Sequence, residues 1–172
     1  PHFMSWVVAA SIFSMILSPT SAGLVNDVLM KLHLITDNIY FLGDQKWWRF
    51  SYYIINVWKD TGWGTIIFMA TLAGISPELY EAASMDGANR FQKMIYITLP
   101  ALNNTIVTVL VLNLAKVMNL FESVFVLQND AVIKVSDVLQ TYIYTQTFNS
   151  GAIPDYGYTT AVGMFSSIIS CI

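Results

Sequence analysis

The sequence predicts an all-α, polytopic bundle of membrane-spanning helices, and three observations support this fold class. Hydrophobic residues make up 55% of the 172 residues and charged residues only 11%, whereas soluble domains carry about 25% charged residues. The mean hydropathy is +0.56, so a soluble globule of this composition would expose large apolar patches to water. The apolar residues also fall into separate stretches, and we predict four spans, at residues 3–18, 49–75, 100–127 and 156–172.

The first stretch, residues 3–18, contains no charged side chain and ends at a Ser-Pro pair. At about 1.5 Å per residue it is short for a hydrocarbon core roughly 30 Å thick. The chain begins with Pro1 instead of Met, and it stops inside the apolar run 156–172. We therefore expect residues 1–172 to be a fragment, lacking both ends, of a single transmembrane domain.

The second stretch, residues 49–75, carries Lys59 and Asp60 near its middle and no charged residue after them. Adjacent residues are about 100° apart on a helix, so these two side chains are not placed to form one ion pair. Gly62 and Gly64 follow at once. Glycines are common at helix kinks, and we predict a kink or local unwinding at this point.

The third stretch, residues 100–127, contains Lys116, whose insertion at a helix centre costs about 2.5–3.5 kcal/mol. Fifteen Leu, Ile, Val and Phe residues follow Ala101 in this stretch, and each returns about 0.3–0.6 kcal/mol. The summed gain from these apolar residues exceeds the cost of inserting Lys116, so the segment should insert into the membrane. Asn113, Lys116 and Asn119 recur every three residues, which turns each about 60° from the last on a continuous helix.

Two of the connections are mixed in composition. Residues 19–48 are polar and end at Trp47 and Trp48, a residue type that suits a membrane interface. Residues 128–155 contain a predicted helix over 136–148, where apolar residues recur at helical spacing. We expect this helix to be amphipathic and to lie on the membrane or against a neighbouring subunit.

The connection at residues 76–99, hereafter the elbow segment, is too polar to enter the bilayer and predicts two short helices with a sharp turn. A Ser-Pro pair at its start suits an N-cap and a first helical position. Gly87 suits the position just past a helix end, where a positive φ is needed. The second helix is predicted over 88–97 and should stop near Pro100.

The elbow segment also carries a motif. Residues 80–100 read YEAASMDGANRFQKMIYITLP. The spacing E-A-A, three residues, G, nine residues, I, one residue, L-P resembles the EAA signature of permease subunits in bacterial binding-protein-dependent ABC importers. The wider stretch resembles the carbohydrate-uptake branch that includes the maltose permeases, and within it the LplB-type oligosaccharide permeases. PHFMSWVVAA at the start, GLVN and VWKDTGWG are similar to that branch too, so the resemblance covers nearly the whole chain.

The resemblance implies a helix bundle of the MetI-like ABC permease type, with an elbow segment that couples it to a separate ATPase. In such permeases this cytoplasmic loop fits a cleft in the ATP-binding subunit and moves the membrane helices. Matching the motif position by position gives the expected coupling residues: Glu81, Ala82, Ala83, Asp86 and Gly87. The alternative is a loop that caps its own helices and binds no partner.

The resemblance also implies partners and a location. We expect a second permease subunit, ATP-binding cassette subunits and an extracytoplasmic sugar-binding protein, in the lipid bilayer of a bacterial plasma membrane. ATP and Mg would be bound by the ATPase, so no cofactor is expected in this chain. With the elbow segment in the cytoplasm, residues 19–48 and 128–155 face outward by alternation.

Polar residues inside a span are candidates for the substrate path. Intramembrane polar and ionisable groups commonly face a water-filled cavity or a partner, and their side chains can hydrogen-bond sugar hydroxyls. We hypothesise that Asn113, Lys116 and Asn119 border the translocation path. The alternative is that they satisfy neighbouring helices or the second permease.

Other functions are less well supported. The sequence has no GxxxxGK[ST], HExxH or GxSxG motif, so no catalytic residue is assigned and we expect a transport subunit instead of an enzyme. One cysteine and two histidines do not indicate a metal site, and a net charge of −3 does not indicate nucleic acid as a partner. A permease for a non-sugar solute, such as glycerol phosphate or a polyamine, is the main alternative, and an intramembrane enzyme is a remote one.

Overall fold

A computed structural model of the protein describes residues 1–20, 23–149 and 156–171. Residue 172 of the predicted fourth span and residues 150–155 of the predicted outward connection lie outside the described residues. Within the described ranges all regular structure is helical and no strand occurs, which confirms the predicted all-α class. The helices are α1 (Trp6–Ile16), α2 (Leu24–Lys31), α3 (Gln45–Ala73), α4 (Pro77–Met85), α5 (Arg90–Lys93), α6 (Leu99–Met118), α7 (Glu122–Leu127), α8 (Ile133–Ser136), α9 (Leu139–Phe148) and α10 (Tyr156–Cys171).

The described residues form two compact units. The first unit holds Pro1, Phe3–Lys59 and the chain from Ala115 onward, and the second holds His2 and Asp60–Leu114. The elbow segment therefore belongs wholly to the second unit.

The first unit has a small core around Trp48, which is only 3% exposed. Its indole Nε1 donates a hydrogen bond to the Leu127 carbonyl (3.0 Å), and its ring stacks on Tyr52 at a centroid distance of 5.1 Å. The Tyr52 hydroxyl lies 2.9 Å from Ser123 Oγ. Trp48 is therefore a core residue, not the interface residue that its position in the sequence suggested. The core residues are Ala10, Leu42, Trp48, Tyr52, Ile55, Val124, Leu127 and Val132.

The segment before α3 is organised by Asn26, which is fully buried. Its Nδ2 donates to the Ser18 and Ile39 carbonyls (2.9 Å each), and its Oδ1 accepts from the Ile39 amide (3.0 Å). Gly23 is needed beside it, because a Cβ there would lie 2.0 Å from the Ser18 carbonyl oxygen. One asparagine thus holds both ends of the segment in place.

In the second unit, α3 continues through Gly62 and Gly64 without interruption. The predicted local unwinding is therefore wrong. A glycine inside a helix costs only about 0.5–1 kcal/mol relative to alanine. The other residues of α3, which is 29 residues long, offset this cost. The Thr65 hydroxyl also donates to the Thr61 carbonyl across the two glycines (2.8 Å).

The helix after the elbow turn does not stop at Pro100 as predicted. A π-helical turn, Met94–Thr98, joins α5 directly to α6, and the Leu99 amide donates to the Met94 carbonyl five residues back. Proline lacks an N–H and its ring clashes with the carbonyl four residues earlier in a regular α-helix. A wider turn immediately before Pro100 accommodates that ring, so the helix continues.

The resulting helical run is long and apolar. Residues Arg90–Val117 have a mean hydropathy of 1.7 over their best window, and none of that window is buried against the rest of the described chain. Its 28 residues are enough to cross a hydrocarbon core of roughly 30 Å. By length and composition this helix can span a membrane.

The structure divides the segment predicted as the third span. α6 ends at Met118, and α7 begins at Glu122. Asn119 lies in the break, where its Nδ2 donates to the Ala115 carbonyl (3.1 Å) and satisfies one of the acceptors left free at a helix end. The helix predicted over 136–148 is observed as α9, which ends at Phe148 as predicted but begins three residues later, at Leu139, while Ser136 ends the separate short helix α8.

Candidate functional site

The first helix of the elbow segment begins where the sequence predicts. Pro77 occupies the first helical position of α4, and Glu78 lies in its first turn, where a carboxylate stabilises the positive end of the helix dipole. Ser76 is at the N-cap position, but its side chain makes no capping hydrogen bond. The start of α4 therefore depends on proline geometry and charge, not on a hydroxyl cap.

The turn after α4 has a defined hydrogen-bond pattern. The Ala88 amide donates to the Ala83 carbonyl (2.9 Å), and the Gly87 amide donates to the Ser84 carbonyl (3.1 Å). These are the two bonds of a Schellman motif. Gly87 has a φ of +78°, which confirms the predicted left-handed position.

The entry into α5 uses a capping box that the sequence reasoning missed. The Gln92 amide donates to Asn89 Oδ1 (2.9 Å), and the Asn89 amide donates to Gln92 Oε1 (2.8 Å). The signal was present as an Asn followed three residues later by Gln. Because Asn89 is the cap, the helix begins at Arg90, two residues later than predicted.

One side of α4 is tied to the following helix. The Tyr80 hydroxyl lies 3.0 Å from Thr98 Oγ1, and Thr98 Oγ1 itself donates to the Lys93 carbonyl (3.4 Å). Lys93 Nζ donates to Ser84 Oγ (2.5 Å), which in turn donates to the Tyr80 carbonyl (2.6 Å). These side chains form a closed set of contacts between α4, α5 and the π turn.

The opposite side of α4 is open. Glu81 and Ala82 are both exposed, and Met85 is 89% exposed. Within the described part of the chain, Glu81 makes no ion pair or side-chain hydrogen bond. Phe91, after the turn, adds a large apolar side chain that is 73% exposed. Methionine and aromatic residues are enriched at protein interfaces, so exposed Met85 and Phe91 make this surface suited to a protein partner.

The predicted coupling residues thus fall into two groups. Glu81 and Ala82 lie on the open side of α4, while Ala83, Asp86 and Gly87 build the turn. The Ala83 carbonyl accepts a turn hydrogen bond, and Asp86 is the C-cap of α4 with its amide bonded to the Ala82 carbonyl. The first group can touch a partner, and the second fixes the direction in which the first is presented.

Replacing Tyr80 by phenylalanine should loosen the elbow segment without removing a ring. The lost hydrogen bond to Thr98 contributes about 0.5–1.5 kcal/mol, so we expect amides of the π turn to exchange hydrogen several-fold faster. Hydrogen exchange of the purified protein measures this. Tyr96→Phe is the control because Tyr96 is 76% exposed on the same turn. Equal exchange in both variants would contradict the role given to the Tyr80 hydroxyl.

The three candidate path residues are placed separately. Asn113, in the second unit, is exposed, and its Nδ2 donates to the Val109 carbonyl of its own helix (2.9 Å). Lys116, in the first unit, is exposed and has no ion pair or hydrogen bond to any residue in the described ranges. Asn119 donates weakly to Ser170 Oγ (3.4 Å) besides capping α6. Asn113 and Lys116 are three residues apart on α6, while Asn119 lies beyond its end.

The charged pair in α3 is also placed. Lys59 is only 4% exposed, and its Nζ lies 5.1 Å from the ring centre of Trp6. Asp60 Oδ1, in the second unit, lies 3.3 Å from His2 Nδ1. A cation over an indole face is a stabilising contact, so Lys59 contributes to the packing of α1 and α3.

Comparison with known proteins identifies relatives along the whole chain. Residues 1–172 match the family described as binding-protein-dependent transport system inner membrane component. The chain is 42% identical to protein LplB of Bacillus subtilis over 173 residues, covering all of this chain and 52% of that protein. It is 38% identical to the polygalacturonan/rhamnogalacturonan transport system permease protein YteP of the same species, again covering 100% and 52%.

A solved structure has the same fold. The chain superimposes on a bacterial ABC transporter involved in the import of the acidic polysaccharide alginate with a TM-score of 0.90 and 36% identity. The match covers 99% of this chain and 58% of that one. The chain thus spans about half the length of the proteins it matches. The predicted resemblance to sugar-branch ABC permeases, and the permease fold, are confirmed.

Proposed function

Because the chain belongs to the family of binding-protein-dependent transport system inner membrane components, we propose that it forms part of the translocation path of an ABC importer for a sugar or oligosaccharide. The elbow segment couples it to a separate ATPase. The observation that carries this proposal is the open side of α4, presented by a turn whose two ends are both fixed by hydrogen bonds.

The geometry supports coupling for a mechanical reason. A loop that transmits motion must be stiff, and the Schellman turn, the capping box and the Tyr80–Thr98 contact tie α4 to the start of α6. Displacement of α4 by a closing ATPase would then pull on the long helix instead of being lost in a flexible loop. The exposed Glu81 carboxylate is available for a basic residue of the ATPase.

The partners follow from the same proposal. The importer would contain a second permease subunit, ATP-binding cassette subunits that bind ATP and Mg, and an extracytoplasmic sugar-binding protein. A relative of known structure has been solved in complex with an alginate pentasaccharide-bound periplasmic protein. We place the chain as a multi-pass protein in the bacterial plasma membrane, with the elbow segment in the cytoplasm. The membrane crossings are α1, α3, α6 and α10.

A carbohydrate is the substrate class best supported. Relatives carry the names of transport permeases for polygalacturonan/rhamnogalacturonan and for arabinooligosaccharides, the latter 32% identical. A non-sugar solute has no comparable support.

The coupling proposal is tested by placing a large cation on the open side of α4. We expect Ala82→Arg to prevent co-purification of the full-length permease with its ATPase and to abolish ATP-driven uptake. Ala131→Arg is the matched control, since Ala131 is also exposed but lies between α7 and α8 on the predicted outward side. Co-purification of the ATPase with both variants in equal amounts would overturn the proposal.

The substrate path is tested on α6. If Lys116 borders the path, Lys116→Met removes the charge but keeps the length of the side chain, and the KM for sugar uptake should change by about fivefold or more. Asn113→Ala should act in the same direction with a smaller effect, because the Asn113 amide already bonds its own helix. Uptake kinetics in vesicles measure both. Unchanged KM and maximal rate in both variants would remove these residues from the path.

A further inference from the structure

The first unit contains a cavity that no part of the coupling or path assignments uses. It has a volume of about 360 Å³ and lies between the end of α1, the segment at residues 40–42 and the residues at and after the end of α7. Sites for small molecules measure roughly 300–1,000 Å³. The cavity is therefore large enough for one or two sugar rings.

The cavity is lined by polar groups that the protein does not use itself. Ser14, Tyr40 and Gln128 all line it. Within the described ranges of the chain, their side chains make no hydrogen bond to another residue. Half of the Tyr40 side chain is exposed. A hydroxyl, a phenol and an amide are thus free to bind a ligand.

The walls of the cavity are fixed by other contacts. Asn129 Nδ2 donates to the Leu42 carbonyl (2.7 Å), and Asn129 Oδ1 accepts from the Ala131 amide (3.1 Å). The Tyr40 ring lies directly against Gly43, where a Cβ would come within 2.1 Å of the ring. One side of the Tyr40 ring thus rests against the chain at Gly43, while half of the residue stays exposed and accessible to a ligand.

The chemistry of the lining selects the class of ligand. None of the ten residues around the cavity is Asp, Glu, Lys, Arg or His. A charged ligand would lose its hydration without gaining a partner of opposite charge. An aromatic face beside amide and hydroxyl groups suits a neutral, polyhydroxylated ring, which has an apolar face and several hydroxyls.

We propose that this cavity is a binding site for an uncharged sugar residue, which uses the Tyr40 ring as a stacking surface and Gln128 as a hydrogen-bond partner. The proposal deepens the importer function and rests on it for the choice of ligand. In the topology proposed above, the lining residues Pro19, Tyr40 and Gln128 belong to outward connections, so the cavity would be occupied early in transport. Because its lining carries no charged residue, the cavity should bind neutral sugars more tightly than uronic acids.

The test is direct binding to the purified full-length permease in nanodiscs, without a binding protein. The probes are three neutral trisaccharides (galactotriose, xylotriose and mannotriose) and trigalacturonate, which differs from galactotriose in its carboxylates. We expect at least one neutral probe to bind, and Tyr40→Ala and Gln128→Ala to raise its Kd about tenfold, as the loss of about 1.4 kcal/mol would. Tyr40→Phe, which keeps the ring, should have a smaller effect.

Two control variants outside the cavity, and one variant that should increase binding of a charged sugar, complete the test. Tyr53→Ala and Gln146→Ala change the same residue types outside the cavity and should leave the Kd unchanged. Gln128→Lys places a cation in the cavity and should tighten trigalacturonate binding several-fold. Absence of neutral-sugar binding, equal binding of trigalacturonate to the unmodified protein, or cavity variants with an unchanged Kd would overturn the proposal.

Measuring uptake by the assembled transporter distinguishes failure of the cavity proposal from failure of the importer function. If the transporter accumulates a sugar but the cavity variants bind and transport it normally, only the cavity proposal fails. If cavity-dependent binding is measured but no ATP-driven sugar uptake occurs, the importer function fails and the sugar site stands.

Discussion

Replacing Gly87 by valine is expected to prevent stable association with the ATPase and to reduce ATP-driven uptake by at least about tenfold. Gly87 has a φ of +78°, a conformation that costs an L-residue roughly 1–2 kcal/mol and a β-branched residue more. A Cβ at this position would meet no atom within 4 Å. The cost is therefore one of backbone conformation, and it is relieved by opening the Schellman turn that presents α4.

The matched control is Gly87→Asn, because asparagine tolerates the left-handed region better than other non-glycine residues. Co-purification with the ATPase and uptake in vesicles are measured for both variants. Asparagine should retain most of the association that valine loses. A valine variant that binds the ATPase and transports normally would show that the turn conformation is not needed.

Replacing Asn26 by leucine is expected to shorten the lifetime of the folded protein most strongly among substitutions outside the elbow segment. The variant removes three hydrogen bonds and leaves two carbonyls and one amide near it without their partners. Each buried polar group left unpaired costs about 1–3 kcal/mol, so the loss should be several kcal/mol. The variant should also reduce neutral-sugar binding, because Ser18 and Tyr40 border the cavity next to the Asn26 contacts.

The measurement is the half-life of the folded protein in detergent at a fixed temperature, because a lifetime measures stability even where unfolding is irreversible. Asn38→Leu is the control, because Asn38 has the same side chain but is exposed. The half-life should fall at least tenfold for Asn26→Leu and change little for Asn38→Leu. Equal half-lives would mean that the segment before α3 is held by other contacts.

Local signals predicted the elbow segment well. A proline at the first helical position and a glycine past the helix end depend on the backbone of a few neighbouring residues, so Pro77 and Gly87 were placed correctly. The cap at Asn89 carried an equally local signal that was overlooked. These features require no knowledge of distant contacts.

Features set by distant contacts could not be predicted in the same way. The apolar stretch after Leu102 gives no sign that the helix breaks at residues 119–121, because the break is coupled to the packing of α7 in the core. Trp48 looked interfacial in the sequence, but its partners Leu127 and Tyr52 bury it. The cavity likewise joins three segments that are far apart in the chain, so periodicity within any one of them cannot indicate it.

The π turn between α5 and α6 also sets the direction in which the α6 side chains point relative to the elbow segment. Such a turn corresponds to one extra residue in an otherwise regular helix, and one residue rotates everything after it by about 100°. Deletion of a single residue within Met94–Thr98 would leave the hydrogen bonds of the Schellman turn in place. It would still rotate the Asn113 side chain by about 100° relative to α4, so the length of the motif sets the direction in which the α6 side chains of the second unit point.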